Sequence, residues 1–416
     1  MAMNSYFFIG IAGTGMSAIA QYLKAGGHEV AGADRQFVAG EVNANRQALE
    51  AAGILCFGQG EGGLHAGFQR VVVSTAIEES VPEVIEARRL GLEIIKRSEL
   101  LAEIVQTRKT IAVGGTSGKS TTTAMLYEIL VHAGMKPSVI GGAGLTRLIK
   151  EGKIGNAAYG EGEWLIIEAD ESDGSIVQYH PEIGLLLNVD KDHQELDELM
   201  RLFELFKQHS ETFIVNLSNP YAASLSAGSA FDFDGRENAA VIIHPNSFTQ
   251  QGAEIAFDID SHPFLVHAPG RHNMENALAA VAVARRLDIS WDICSKALQN
   301  YQGIYRRHQV LGTRNGITLV DDFAHNPVKC ARSIEACRPF GERLIAWFQP
   351  HGYGPTRFLR HDFVEELSKV LRPQDQIWMS EIYYAGGTAV KDISAGDLIR
   401  DLKDRGVDAH FVPDRK

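Results

Sequence analysis

The stretch KTIAVGGTSGKSTTTAMLY, Lys109–Tyr127, constrains this chain more than any other. Thr110, Ile111, Ala112 and Val113 form an apolar, largely β-branched run that reads as a buried strand. Two glycines break it, and Ser117-Gly118-Lys119-Ser120-Thr121 opens a run of good helix formers. Strand, glycine turn and helix start, in that order, are the parts of a phosphate-binding loop. Gly114, Gly115 and Gly118 let the backbone curl so that several N–H groups and a helix N-terminus face one anion. In such a loop Lys119 reaches the β- and γ-phosphates and the Ser120 hydroxyl ligates Mg²⁺. The general pattern GxxxxGK[ST] would place its first glycine at Val113; here the glycines come one and two places later. The competing reading is a flexible glycine turn.

At 416 residues the chain is too long for one ordinary core and predicts about three domains. The longest apolar runs, such as Ile183–Leu187, are far shorter than a membrane span, and no secretion signal precedes the first strand, so membrane insertion is not expected and a cytoplasmic setting is. Cys56, Cys294, Cys330 and Cys337 lack CxxC spacing, which argues for reduced thiols rather than zinc or disulfides. A net charge of −12 works against a nucleic-acid partner.

In chain order, Tyr6–Ile11 is an apolar strand, Gly10-Ile11-Ala12-Gly13-Thr14-Gly15 a turn, and a helix runs on through Leu23. A second strand, Glu29–Ala33, ends on Asp34. Against the dinucleotide fingerprint G-x-G-x-x-G, Gly10 and Gly15 match, but Ala12 stands where a pyrophosphate needs bare backbone. The turn predicts a Rossmann-like domain that takes a diphosphate ligand in a modified way, with Asp34 near its sugar or base; a plain glycine turn with a surface Asp is the alternative. Arg70–Ser74 reads as a strand, and Pro82–Leu90 and Ser98–Val105 as helices, closing the first domain near Gln106. In the second domain Glu163–Ala169 is a buried strand with Glu168 and Asp170 at its carboxyl end, where an acid can meet the Mg²⁺ of the phosphate loop. Ile183–Val189 is another, running into Asp190-Lys191-Asp192-His193; His193 is a metal ligand or an ordinary loop residue. Ala239–Leu265 carries short alternating runs, and an alanine-rich helix bearing Asn276 ends near Arg286. Beyond Arg307 the pattern restarts: strands at Gly316–Val320, Arg343–Phe348 (buried), Gln376–Ser380 and Ala409–Val412, alternating with helices, predict a second parallel sheet. The expected domains are 1–106, 107–306 and 307–416.

Three α/β domains in this order resemble the Mur ligase family of ATP-dependent amide-forming enzymes. GIAGTGMSAIA, VVVSTAIEESVPE, GGTSGKSTTTAM, EADESD, GRHNMENALAA, RRHQVLG, VDDFAH and FQPHGYGPTR fall in the family's order over nearly the whole chain. The resemblance implies a Rossmann-like first domain for UDP-N-acetylmuramate, a P-loop ATPase-like centre and a Rossmann-like third domain that the family usually continues past the last strand seen here. It implies ATP contacts at Gly115, Thr116, Ser117, Gly118, Lys119, Ser120, Thr121, Asn276, Arg307 and Asp322, and metal ligands at Ser120, Glu168 and His193. It implies UDP-sugar contacts at Gly13, Thr14, Gly15, Met16, Asp34 and Ser74, with His325 and Tyr353 at the amino-acid end. Lys119, Glu168, His193 and His325 would form the catalytic set, and the chain would be a monomer or weak homodimer.

The implied reaction joins UDP-N-acetylmuramate to an amino acid, L-alanine first, through an acyl phosphate. The chain departs from that branch at Ser117 (usually His), Phe323 (Tyr), Asn326 (His), and at Gly352 and Pro355, in a segment where the branch carries arginines. An arginine is the natural bidentate partner of a free amino-acid carboxylate, and DDFAH is closer to the family member that attaches a recycled tripeptide. Both acceptors therefore stand, as does a nucleotide-binding protein without ligase activity.

Overall fold

The computed structural model describes residues 4–190, 195–384 and 390–414. It divides into two units: residues 1–246, 258–264 and 275–305, and residues 247–257, 265–274 and 306–416.

The first unit holds two parallel sheets. Strands β1 (Ser5–Ile9), β2 (Glu29–Asp34), β3 (Leu55–Gly58), β4 (Arg70–Val73) and β5 (Glu93–Lys96) pair in the order β3-β2-β1-β4-β5, all parallel. Every residue of β1 is buried, as a central strand covered on both faces requires. The order reverses between β1 and β4, where Ile9 stands beside Val73, so the Gly10–Gly15 turn and Ser74 leave neighbouring strands at the sheet's switch point. The strands Leu55–Gly58 and Glu93–Lys96 and the helix Ala44–Ala51 escape the sequence reading because each is short and half exposed.

The second sheet is β6 (Lys109–Gly114), β7 (Ser138–Ile140), β8 (Ala157–Ala158), β9 (Trp164–Glu168), β10 (Ile183–Leu186) and β11 (Thr212–Val215), in the order β11-β10-β6-β9-β7-β8. Only the short β8 runs antiparallel. The strand carrying the phosphate loop is thus flanked by the two that carry the acidic segments, with Val113 paired to Glu168 and Gly114 to Leu186. The middle of the helix Arg271–Arg286 is apolar all round: Ala277 through Ala284 are each 0% exposed, the mark of a segment surrounded by protein. Strands β12 (Ser247–Gln251), β13 (Glu254–Ile259) and β14 (His262–Val266) form a three-stranded sheet in chain order, matching the alternating runs expected there.

The second unit contains β17 (Ile345–Phe348), β18 (Gln376–Ser380) and β19 (Ala409–Val412), parallel and adjacent in that order, over a core that includes Ile334, Phe363, Leu367, Met379 and Leu402. Two expectations are corrected here. The strand expected at Gly316–Val320 is β16 (Ile317–Asp321), and it joins β15 (Gln309–Arg314) in a separate antiparallel hairpin instead of the parallel sheet. The cause is local: Asn315 (φ 52°) and Gly316 (φ 77°) make a two-residue loop with both central residues left-handed, the hairpin turn that Asn-Gly favours. Nor is the Arg343–Phe348 segment buried. Ile345 is 61% and Trp347 54% exposed, because β17 is an edge strand open on one face.

All four cysteines are free. No helix among the described residues is long and apolar enough to cross a membrane.

Candidate functional site

The phosphate loop forms as its residue types require. Gly115 (φ 133°) and Gly118 (φ 89°) take backbone conformations that other residues rarely adopt, and the helix Lys119–His132 begins directly after Gly118. A Cβ on Gly118 would stand 2.4 Å from Asn276 Oδ1, so this glycine serves close packing as well as backbone freedom. Asn276 lies against the first turn of that helix, where its Oδ1 accepts from Thr122 Oγ1 at 3.3 Å.

One organiser of the loop lies outside the sequence reading. Asn188, just past β10, accepts through Oδ1 from Thr116 Oγ1 (2.8 Å) and Ser117 N (2.9 Å), and donates through Nδ2 to Ser117 O (3.0 Å). Its backbone carbonyl also takes the Thr116 N–H at 3.2 Å. Because β10 pairs directly with β6, these contacts bridge some seventy residues of sequence and leave no local signal.

The charges converge at the carboxyl end of β9. Ser120 Oγ donates to Glu168 Oε2 at 2.9 Å, and the Gly142 N–H donates to Glu168 Oε1 at 2.7 Å. Lys119 Nζ lies 2.6 Å from Glu171 Oε2, 2.8 Å from Gly115 O and 3.7 Å from Asp170 Oδ1. Burial pulls the Lys119 ammonium down, but Glu171, Asp170 and Glu168 together raise it above its ordinary value. It stays charged.

The described donors suit Mg²⁺. A hydroxyl and a carboxylate that already share a hydrogen bond are hard oxygen ligands, and Mg²⁺ in phosphate sites commonly takes one or two carboxylates plus phosphate oxygens and water. Among the described residues no group of three or more His, Cys, Asp or Glu is placed to hold a metal alone. His193, the third expected ligand, lies outside the described residues.

At the first sheet, Gly13 precedes the helix Thr14–Ala25, so the N–H groups of Thr14, Gly15 and Met16 have no partner within the helix. The Met16 side chain is buried in the core. Asp34 is 5% exposed and accepts from Ala12 N (2.8 Å) and Gln36 N (2.9 Å), so it shapes the turn from within. At the second fingerprint position the Ala12 N–H thus turns inward to Asp34. Arg97, absent from the sequence expectations, leans over the turn; a Cβ on Gly15 would meet it at 3.1 Å, and its Nη2 donates to Asp173 Oδ2 at 2.9 Å.

In the second unit, Asp322 accepts from His308 N (2.8 Å) and Ala324 N (2.8 Å), and the Arg307 guanidinium lies 5.6 Å from the Phe323 ring centroid. His325 is exposed on the same loop, its ring beside Phe323. Tyr353 pairs edge-on with Tyr384, with Lys391 4.5 Å over the Tyr384 ring. No cysteine is poised as a nucleophile: burial pushes Cys56, Cys294 and Cys337 up to about 12 and Cys330 further.

Three family profiles cover most of the chain: the Mur ligase family catalytic domain over residues 5–109, the Mur ligase middle domain over 113–284, and the Mur ligase glutamate ligase domain over 306–416. The UDP-N-acetylmuramate–L-alanine ligase of Rhizobium etli is 34% identical, covering 99% of this chain and 89% of that protein. Its counterpart from Gloeobacter violaceus is 32% identical, covering 97% and 86%. Among solved structures, a UDP-N-acetylmuramate–alanine ligase from Thermotoga maritima has a similar fold with a TM-score of 0.80 at 23% identity, covering 99% of this chain and 90% of that one. A murein peptide ligase from Psychrobacter arcticus gives 0.67 at 22% identity, covering 99% and 91%.

Proposed function

The chain belongs to the Mur ligase family, and from that premise we propose that it uses ATP to join the lactyl carboxylate of UDP-N-acetylmuramate to L-alanine in bacterial peptidoglycan synthesis. The observation that carries the reading is the grouping of Lys119, Ser120 and Glu168 at the carboxyl ends of adjacent strands, in a chain aligned along nearly its whole length with ligases of that substrate.

A carboxylate is a poor acyl donor until its oxygen is phosphorylated. In the proposed reaction the carboxylate attacks the γ-phosphate, ADP leaves, and the amine displaces phosphate from the acyl carbon. Lys119 leaves Glu171 to face the β- and γ-phosphates, and the loop N–H groups hold them. Ser120 and Glu168 would hold a bound Mg²⁺, which would neutralise phosphate charge. The N–H groups of Thr14, Gly15 and Met16 receive the diphosphate of the UDP-sugar. What these residues supply is position and charge, and no covalent enzyme intermediate is needed.

A second acceptor has a specific basis: Gly352 and Pro355 lie in a segment where arginines are expected, and the DDFAH loop is closer to that of the tripeptide-attaching family member. The deciding experiment measures phosphate release with ATP, Mg²⁺ and UDP-N-acetylmuramate, offering L-alanine, glycine, L-serine and the L-Ala-γ-D-Glu-diaminopimelate tripeptide separately. Release driven by L-alanine alone supports the reading, and release driven only by the tripeptide moves the enzyme to cell-wall recycling. No acceptor-dependent release, with residual turnover unchanged in Lys119→Ala, removes the ligase assignment.

A further inference from the structure

The turn at Gly13 and the phosphate loop stand on different sheets, yet a sugar carboxylate must meet a γ-phosphate to within contact distance. A continuous path of hydrogen bonds joins them. Asn156, 1% exposed, lies just before β8. Its Nδ2 donates to Thr14 O at 2.7 Å and to Ser17 Oγ at 2.9 Å, in the first turn of the helix behind the UDP-sugar turn. Its Oδ1 accepts from Gln21 Nε2 at 2.8 Å, one turn further along. A carbonyl cannot donate, so the Thr14 contact alone fixes which end of the amide is nitrogen, and both amide protons are used.

The path continues through the backbone. Asn156 O accepts from Gly141 N at 2.8 Å; the next N–H, of Gly142, donates to Glu168 Oε1 at 2.7 Å; Glu168 Oε2 accepts from Ser120 Oγ at 2.9 Å. The Gly141 step is tight: a Cβ there would stand 3.0 Å from Glu168 Oε1. A buried amide with its donors and acceptor committed is stiff, because any displacement exposes a polar group with no water to replace its partner.

We propose that Asn156 is a positioning residue for ligation. Resting on the function proposed above, it sets the separation of the turn that receives the UDP-sugar from the Glu168–Ser120 pair that receives Mg²⁺ and ATP, so that occupancy at one end is felt at the other.

The test measures the dissociation constant of UDP-N-acetylmuramate by calorimetry, with and without Mg²⁺ and a non-hydrolysable ATP analogue, in the wild type, Asn156→Ala and Ser17→Ala. In the wild type the analogue tightens sugar-nucleotide binding by about tenfold, within the usual range of coupling between sites. In Asn156→Ala that factor falls to near one and kcat drops by about ten- to a hundredfold, the scale expected of small misplacements, while each ligand alone binds about as before. Ser17→Ala, which removes one acceptor of the amide and little volume, gives an intermediate factor and serves if Asn156→Ala does not fold. A wild-type coupling factor retained in a folded Asn156 variant overturns the proposal, as does a kcat loss no larger than the loss of folded protein. A wild-type chain that binds and ligates without coupling overturns it too; one that binds no UDP-N-acetylmuramate overturns both this proposal and the reading it rests on.

Discussion

Lys119 Nζ and Glu171 Oε2 are 2.6 Å apart, with side chains only 15% and 7% exposed. The phosphate-loop lysine is therefore occupied before any phosphate arrives. Burial pushes the Glu171 carboxyl up, with Lys119 pulling it back, and the pair persists because each charge offsets the cost of burying the other. ATP must draw the ammonium away. Glu171→Gln weakens the competitor by exchanging a charge-assisted hydrogen bond for a neutral one, a difference of about 1 kcal/mol. Nucleotide titration should show about fivefold tighter ATP binding. Weaker binding would mean that Glu171 supports the phosphate site instead of competing for its lysine.

Gly118→Ala imposes two separable penalties. The φ of 89° costs a residue with Cβ about 1–2 kcal/mol, and that Cβ collides with Asn276 Oδ1. The variant should lose nucleotide affinity by tenfold or more while the first sheet still binds UDP-N-acetylmuramate. Combining it with Asn276→Ala relieves the collision but not the backbone strain, so a double-mutant cycle should show recovery of part of the stability loss. Strict additivity would show that the two residues do not press on each other.

These contacts also mark where the sequence stops being informative. The strand, turn and helix from Lys109 to His132 are legible because apolar pattern, glycines and helix formers agree over a short span. The βαβ start is legible for the same reason. Asn156 and Asn188 are not, since their roles depend on which strands become neighbours: Asn188 matters because β10 lies beside β6, and Asn156 because its loop reaches the helix of another sheet. The exposure of Trp347 is hidden likewise, as an apolar run looks the same in an edge strand and a central one. By contrast the helix Leu196–His209 is written plainly, with Leu199, Phe203 and Phe206 buried at helical spacing, and the strand-centred reading passes over it.

Acid should loosen the second unit before carboxylates titrate. The rings of His272 and His308 lie 5.0 Å apart in the interior. Burial lowers His272 to about 3, helped by His308 and Arg332; burial also lowers His308, opposed by Asp322 and helped by Arg307. The folded state therefore disfavours a proton on either ring, while the unfolded chain takes one up on each near 6.5. Stability is full above that value and falls as pH drops through it, by about 1.4 kcal/mol per pH unit for His272 down to about 3, with His308 contributing in the same direction. Denaturant unfolding at pH 8, 6.5 and 5.5 should show this slope, and His272→Phe with His308→Phe should flatten it. An unchanged slope in the double variant would assign the acid sensitivity elsewhere.

Arg97 is a cation beside the Gly10–Gly15 turn that the structure adds to the sequence reading. Its guanidinium is held by Asp173 Oδ2 at 2.9 Å and stands against Gly15, whose missing side chain leaves it room. A diphosphate at the start of the helix Thr14–Ala25 would meet N–H groups on one side and this planar fork on the other, an arrangement that a point-charged lysine reproduces poorly. Arg97→Ala should raise the KM for UDP-N-acetylmuramate by about tenfold, the scale of one charge-assisted contact, with the KM for ATP nearly unchanged; Arg97→Lys should recover only part of it. Gly15→Ala, which pushes the guanidinium aside without removing it, should move the same constant in the same direction. If the ATP constant shifts instead, Arg97 acts through Asp173 on the acidic segment of the phosphate site, and the diphosphate is held by backbone alone.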